Sequence, residues 1–122
     1  MSKVFRFVQA STKLERLSLS EGDWIDIKPV LTVAEQKRVD SAGMVTGSPT
    51  GKVDLSIPEF SFARTMAYVQ GWSFTDAEGK PVKFSRAAVD ALTVQAYEEI
   101  EDAISAYIEV RDEGKQKPGE TQ

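Results

Sequence analysis

Apolar residues along this chain recur with two periods, close to two in its first third and close to 3.6 over most of the remainder. Val4-Phe5-Arg6-Phe7-Val8 suits a strand, and Leu14-Glu15-Arg16-Leu17-Ser18-Leu19 is a second candidate whose spacing fits a helix nearly as well. Ser20-Glu21-Gly22-Asp23 signals a turn before a strand at Trp24-Ile25-Asp26-Ile27, which Lys28-Pro29 ends because proline cannot donate to a ladder. In Thr32-Val33-Ala34-Glu35 the threonine hydroxyl can accept the Glu35 amide while the Glu35 carboxylate reaches back, a capping box that opens a helix. That helix is expected to end near Ala42-Gly43. Residues Gly43 to Lys52, rich in Gly, Ser, Thr and Pro, predict an exposed, mobile loop.

A second helix is predicted to begin between Ser56 and Glu59, with Pro58 in its first turn, where a missing N–H costs little. Phe62, Met66 and Val69 share a face at helical spacing, flanked by Phe60 and by Ala63 or Ala67. Gly71 is the expected left-handed stop. Trp72-Ser73-Phe74 and Val82-Lys83-Phe84 flank Asp76-Ala77-Glu78-Gly79 and predict a short hairpin. Ser85 then caps a helical turn over 86–92. Thr93 caps a long final helix in which Tyr97, Ile100, Ile104, Tyr107 and Ile108 form one stripe. From Gly114 no apolar residue remains, so 114–122 is expected to be a disordered tail following a single domain over 1–113. The fold class is α+β: N-terminal β-strands, then a mainly helical body with a short hairpin and a long C-terminal amphipathic helix.

With 122 residues, 41% apolar and 28% charged, the composition is that of one ordinary globular domain. No apolar run approaches the roughly 20 residues that cross a bilayer, and the start has no signal-peptide pattern, so a cytoplasmic location is the expectation. Cysteine and histidine are both absent. Thiolate chemistry, disulfides, imidazole proton transfer and the commonest metal ligands are thereby excluded. The net charge of −4 argues against a nucleic-acid partner.

The final helix carries Glu98, Glu99, Glu101, Asp102, Glu109, Asp112 and Glu113 against Arg111. A solvated face opposite a core stripe explains most such patterns. Yet acidic side chains so far along a helix oppose its negative C-terminal dipole, and an acidic face also suits a basic partner. Glu98 with Asp102, and Glu109 with Glu113, are spaced four apart but lack the companions that acid–base or Mg²⁺ chemistry needs. Asp76 to Gly79 lacks the ligand alternation of a calcium loop, and Thr50-Gly51-Lys52 lacks the first glycine and final hydroxyl of a phosphate loop. Trp24, Trp72, Phe60, Phe62, Phe74 and Phe84 read as core, and Tyr97 and Tyr107 equally as core or interface. No enzyme, metal or cofactor is expected.

Three segments in order carry a resemblance: Gly22-Asp23-Trp24-Ile25-Asp26-Ile27-Lys28, Leu31-Thr32-Val33-Ala34-Glu35-Gln36, and Gly71-Trp72-Ser73-Phe74-Thr75-Asp76-Ala77-Glu78-Gly79-Lys80-Pro81-Val82. They resemble the small tail assembly chaperones of long-tailed bacteriophages and prophages, over roughly Leu17 to Ile108. Trp24, Thr32, Glu35, Gly71, Trp72 and Gly79 would be structural residues of that pattern. The resemblance implies a non-enzymatic protein of the host cytoplasm, absent from the mature virion, that coats the helical tape-measure protein and helps tail-tube subunits assemble around it. It also implies a longer form made by ribosomal frameshifting, for which Glu113-Gly114-Lys115 and Glu78-Gly79-Lys80 both allow slippery codons. A homo-oligomer is a further expectation, since an N-terminal strand edge can recruit a second copy. The rival reading is a structural virion component: a tail-terminator, connector or minor tail protein. No motif identifies the client-binding residues. Helical amphipathicity selects Tyr97, Glu98, Glu101, Asp102, Ile104, Tyr107 and Ile108 on the final helix.

Overall fold

A computed structural model describes residues 6–9, 13–45 and 54–120, with side chains omitted at 45, 54, 55 and 114–120. Among the described residues the elements run β1 (Glu15–Ser18), β2 (Trp24–Ile27), α1 (Val33–Ala42), β3 (Met44–Val45), β4 (Asp54–Leu55), α2 (Ile57–Tyr68), β5 (Val69–Trp72), α3 (Arg86–Asp90) and α4 (Val94–Glu120). β1, β2 and β5 form an antiparallel sheet in that order, and β3 pairs with β4. The class is α+β, with N-terminal strands and a long C-terminal helix, as the two periodicities predict.

The sheet is one layer and the helices are the other. Leu17 lies opposite Ile25 and Ile25 opposite Trp72, and the period of two puts Ile25 and Ile27 on the same face. That face meets Tyr68, Val69, Trp72 and Val89, together with Ile100 and Ile104 of α4, all buried. The opposite face carries Arg16, Trp24 and Asp26. Arg16 donates to both oxygens of Asp26 at 2.8 and 3.1 Å, and its Cζ sits 3.6 Å from the Trp24 ring centroid. Trp24 is therefore half-buried under a guanidinium and outside the core, because its neighbours Ile25 and Ile27 hold the inner face.

The strand expected at Val4–Val8 is not found: Val4 and Phe5 lie outside the described residues, and 6–8 belong to no strand. Both edges of β2 are already filled, by β1 and β5. The expected loop from Gly43 is in part a strand pair, since Met44–Val45 pairs with Asp54–Leu55 and Ser56 N–H donates to Gly43 O at 2.7 Å; 46–53 lie outside the described residues. A Cβ on Gly43 would come within 2.9 Å of Phe60 Cβ, so this glycine permits the close approach of α1 and α2. The assigned helix α4 reaches Glu120, past the Gly114 boundary; side chains from 114 lie outside the described residues.

Gly71 does not stop α2. The helix ends at Tyr68, Val69 already has extended dihedrals (φ −75°, ψ 129°), and Gly71 lies in β5 opposite Asp26 without a positive φ. Pairing with β2 draws the chain out of the helix two residues earlier than glycine chemistry suggests. Val69 thus contributes to the core from a strand, and α2 buries Thr65 and Tyr68 where its sequence stripe named Phe62 and Met66, which are partly buried. The hairpin after Trp72 is reduced to a single bridge, Thr75 to Pro81, around a turn in which Asp76 Oδ1 accepts from the amides of Glu78 and Lys80. Gly79 closes it at φ 81°, a conformation suited to glycine. Trp72 donates its indole N–H to Val82 O at 2.6 Å and packs edge-on to Phe84.

The helix caps follow the sequence. Thr32 and Glu35 complete the capping box, Ser56 accepts from Glu59 N–H, Ser85 from Ala88 N–H and Thr93 from Ala96 N–H. Glu35 also accepts from Lys28. The Lys28 hydrogen bond first, then the Thr32 amide, hold Glu35 below the ordinary glutamate range, and Arg16 does the same to Asp26. A depressed folded value gives stability that is present above the unfolded value and lost as pH falls through the folded one. Acidification below about pH 4.3, the unfolded glutamate value, is therefore expected to lower the urea midpoint, and Glu35→Gln to flatten that limb. Superimposable acid limbs in the two proteins would show that the contact contributes nothing.

Candidate functional site

The seven residues selected on α4 do not form one surface. Ile104 is 0% exposed and serves the core, so its assignment to partner contact is corrected. Tyr107 and Ile108 are partly buried against the same core, and burial, followed by the nearby Glu15 charge, pushes the Tyr107 phenol up. One α-helical turn covers 3.6 residues, so a stripe that meets the sheet at Ile100 and Ile104 carries Tyr107 and Ile108 towards it as well. Asp102 is exposed on the flank.

Tyr97, Glu98 and Glu101 do come together. They line an open groove of about 550 Å³ between the start of α2, α3 and the first turns of α4. Its apolar surface comes from Phe62, Val89, Leu92 and Tyr97, and its rim from Ile57 and Val94, which are 69% and 68% exposed. Ile57 is exposed because it occupies the first turn of α2, where Ser56 and Pro58 set the chain direction. Val94 is exposed for the equivalent reason, one residue after the Thr93 cap.

Glu101, on the wall of the groove, belongs to a polar network tying α2 to α4. Thr65, fully buried, donates its hydroxyl to Glu101 Oε2. Arg64 Nη2 donates to Ser105 Oγ at 2.8 Å and reaches Glu101 at 3.3–3.4 Å, while its buried Nε–H meets no acceptor among the described residues. Burial pushes the Tyr97 phenol up, countered by the neighbouring Thr65 hydroxyl and reinforced by the Glu101 charge. The phenol thus stays protonated at neutral pH and presents a polar tip beside an apolar ring, the chemistry of an interface anchor.

The acidic character of α4 divides by role. Glu99 accepts from Ser20 N–H at 2.6 Å and Ser20 Oγ at 3.0 Å, clamping the β1–β2 turn in which Glu21 holds φ 60°. Glu101 is engaged in the wall. Glu98, Asp102, Glu109, Asp112 and Glu113 are exposed. Arg111 donates to Pro29 O and Tyr68 Oη and pairs with Asp112. Sequence reasoning missed Ile57, Phe62 and Leu92 as groove residues, because they come from three separate segments. An apolar residue such as Ile57 directly after a cap was the one available signal.

Among the described residues no group of three or more acidic side chains is arranged to hold a metal ion, and no helix is long and apolar enough to cross a membrane. The structural residues of the resemblance have distinct places: Thr32 and Glu35 in the cap, Trp72 in the core, Trp24 on the outer sheet face, Gly71 in β5 and Gly79 in the turn. No family model, curated protein or solved structure matches the chain.

Proposed function

We propose that this chain is a non-enzymatic tail assembly chaperone that covers an apolar helical segment of a phage tape-measure protein while the tail tube assembles. The observation that carries the reading is the groove lined by Tyr97 and Glu98, with Ile57 and Val94 exposed at its rim. An open channel with an apolar floor and acidic flank suits an amphipathic helix bearing basic residues. The resemblance of residues 17–108 to such chaperones supplies the client. Tube subunits, a frameshifted longer form and further copies of the chain are partners on the same reading, acting in the host cytoplasm.

Co-expression with the longest open reading frame downstream of the gene tests it. The long protein is expected to become soluble and to co-elute with this chain. Val94→Asp with Glu98→Lys changes only exposed positions, and is expected to reduce recovery by about tenfold or more at an unchanged melting temperature. Unchanged client solubility with the wild-type chain would sink the chaperone reading. Detection of the chain in purified virions by mass spectrometry would favour the structural virion component instead.

A further inference from the structure

A second groove, of about 330 Å³, runs between α1 and α2 and shares Glu59, Phe62 and Arg86 with the first. The shared wall is ordered by Arg86, whose Cζ sits 4.7 Å from the Phe62 ring centroid. On the α1 side the apolar surface comes from Val39, Ala63 and Met66.

The two grooves differ in charge. Glu59 and Arg86, of opposite charge, line both grooves; in the second, Lys28 is neutralised by Glu35, which leaves Arg38, exposed and not ion-paired among the described residues, as the charge peculiar to that side. In the first, Asp90 and Glu98 are exposed and likewise unpaired among the described residues. An apolar track passing over Phe62 therefore has a cationic side and an anionic side.

We infer that the two grooves form one bipolar seat for an amphipathic helix that lays its apolar stripe across the wall at Phe62 and Arg86, with lysine or arginine beside Asp90 and Glu98 and aspartate or glutamate beside Arg38. The kind of occupant rests on the chaperone reading; the charge pattern rests on the grooves. A uniformly basic helix would set its cations against Arg38, and a uniformly acidic one would meet Asp90 and Glu98. Complementarity of this kind selects partners and fixes their orientation.

The test uses the purified full chain and three labelled helical peptides about 18 residues long, identical in apolar stripe. One is basic in one half and acidic in the other, one is basic throughout and one acidic throughout. Fluorescence anisotropy at physiological salt is expected to show the bipolar peptide binding about tenfold more tightly than either uniform peptide. Arg38→Glu with Arg86→Glu is expected to reverse the order, so that the uniformly basic peptide binds best. Arg38→Glu alone, at an exposed position without a partner among the described residues, is expected to shift the preference the same way at an unchanged melting temperature. The inference is overturned if the uniformly basic peptide matches the bipolar one on the wild-type chain, if no peptide binds, or if the single variant leaves the preference unmoved. Client solubility on co-expression with the wild-type chain is scored separately. Rescue without bipolar preference sinks this inference alone, and absence of rescue sinks the chaperone reading.

Discussion

Ile104→Ala is expected to lower the unfolding free energy by about 2–5 kcal/mol, the usual cost of truncating a fully buried isoleucine. Ile104 is 0% exposed and belongs to the cluster that joins α4 to Ile25 and Ile27 of β2 and to Val69 and Trp72 of β5. Removing three carbons there forfeits their transfer free energy and leaves a void that a sheet and a helix cannot both move to fill. A loss of this size is a large fraction of the roughly 5–15 kcal/mol that holds a domain of ordinary stability. Urea denaturation followed by tryptophan fluorescence measures it as a lower midpoint at constant slope. Ile108→Ala, at a partly buried position one turn on, is expected to cost less. Equal midpoints for wild type and Ile104→Ala would mean that α4 does not lie on the sheet in solution. The result also governs the reading of function, since loss of client recovery in an Ile104 variant would report unfolding and say nothing of contact.

Glu101→Ala is expected to cost about 2–4 kcal/mol, because it removes one member of a part-buried network and leaves the others desolvated. The Thr65 hydroxyl has no exposure through which water can replace Glu101, and Arg64 already carries one buried N–H without an acceptor among the described residues. Glu101→Gln keeps an acceptor for Thr65 and is expected to cost less. Thr65→Val removes the donor. The double variant Thr65→Val with Glu101→Gln should then show a coupling of about 0.5–3 kcal/mol relative to the sum of its parts. Strict additivity would show that Thr65 and Glu101 are independent, and that the α2–α4 contact is held by apolar packing alone. Because Glu101 also lines the groove, its variants should be compared with Glu98→Lys, which alters groove charge without touching the network.

What could be read from the chain without its fold was local. The caps at Thr32, Ser56, Ser85 and Thr93 are signalled within three residues of themselves, since each hydroxyl accepts from the amide three positions on. The strand at Trp24–Ile27 and the turn at Asp76–Gly79 are similarly short-range, as is the core stripe of α4 around Ile100 and Ile104. The absence of cysteine and histidine, and the acidic balance, are properties of composition that no fold can alter.

The rest depended on partners distant in the chain. Ile25 lies opposite Trp72, 47 positions on, and that pairing ends α2 at Tyr68 and turns Gly71 from a helix stop into a strand residue. Parity in β2 moved Trp24 to the outer face once Ile25 and Ile27 were committed to α4. Thr65 gains its role only because α4 brings Glu101 to it, and the acidic run of α4 becomes a clamp at Glu99, a wall at Glu101 and an open flank at Glu98. Local hydrogen-bonding and side-chain volume are written in neighbouring residues and survive translation into sequence patterns. Burial, groove shape and the pairing of charges are set by which segments meet, and only the tertiary structure decides that.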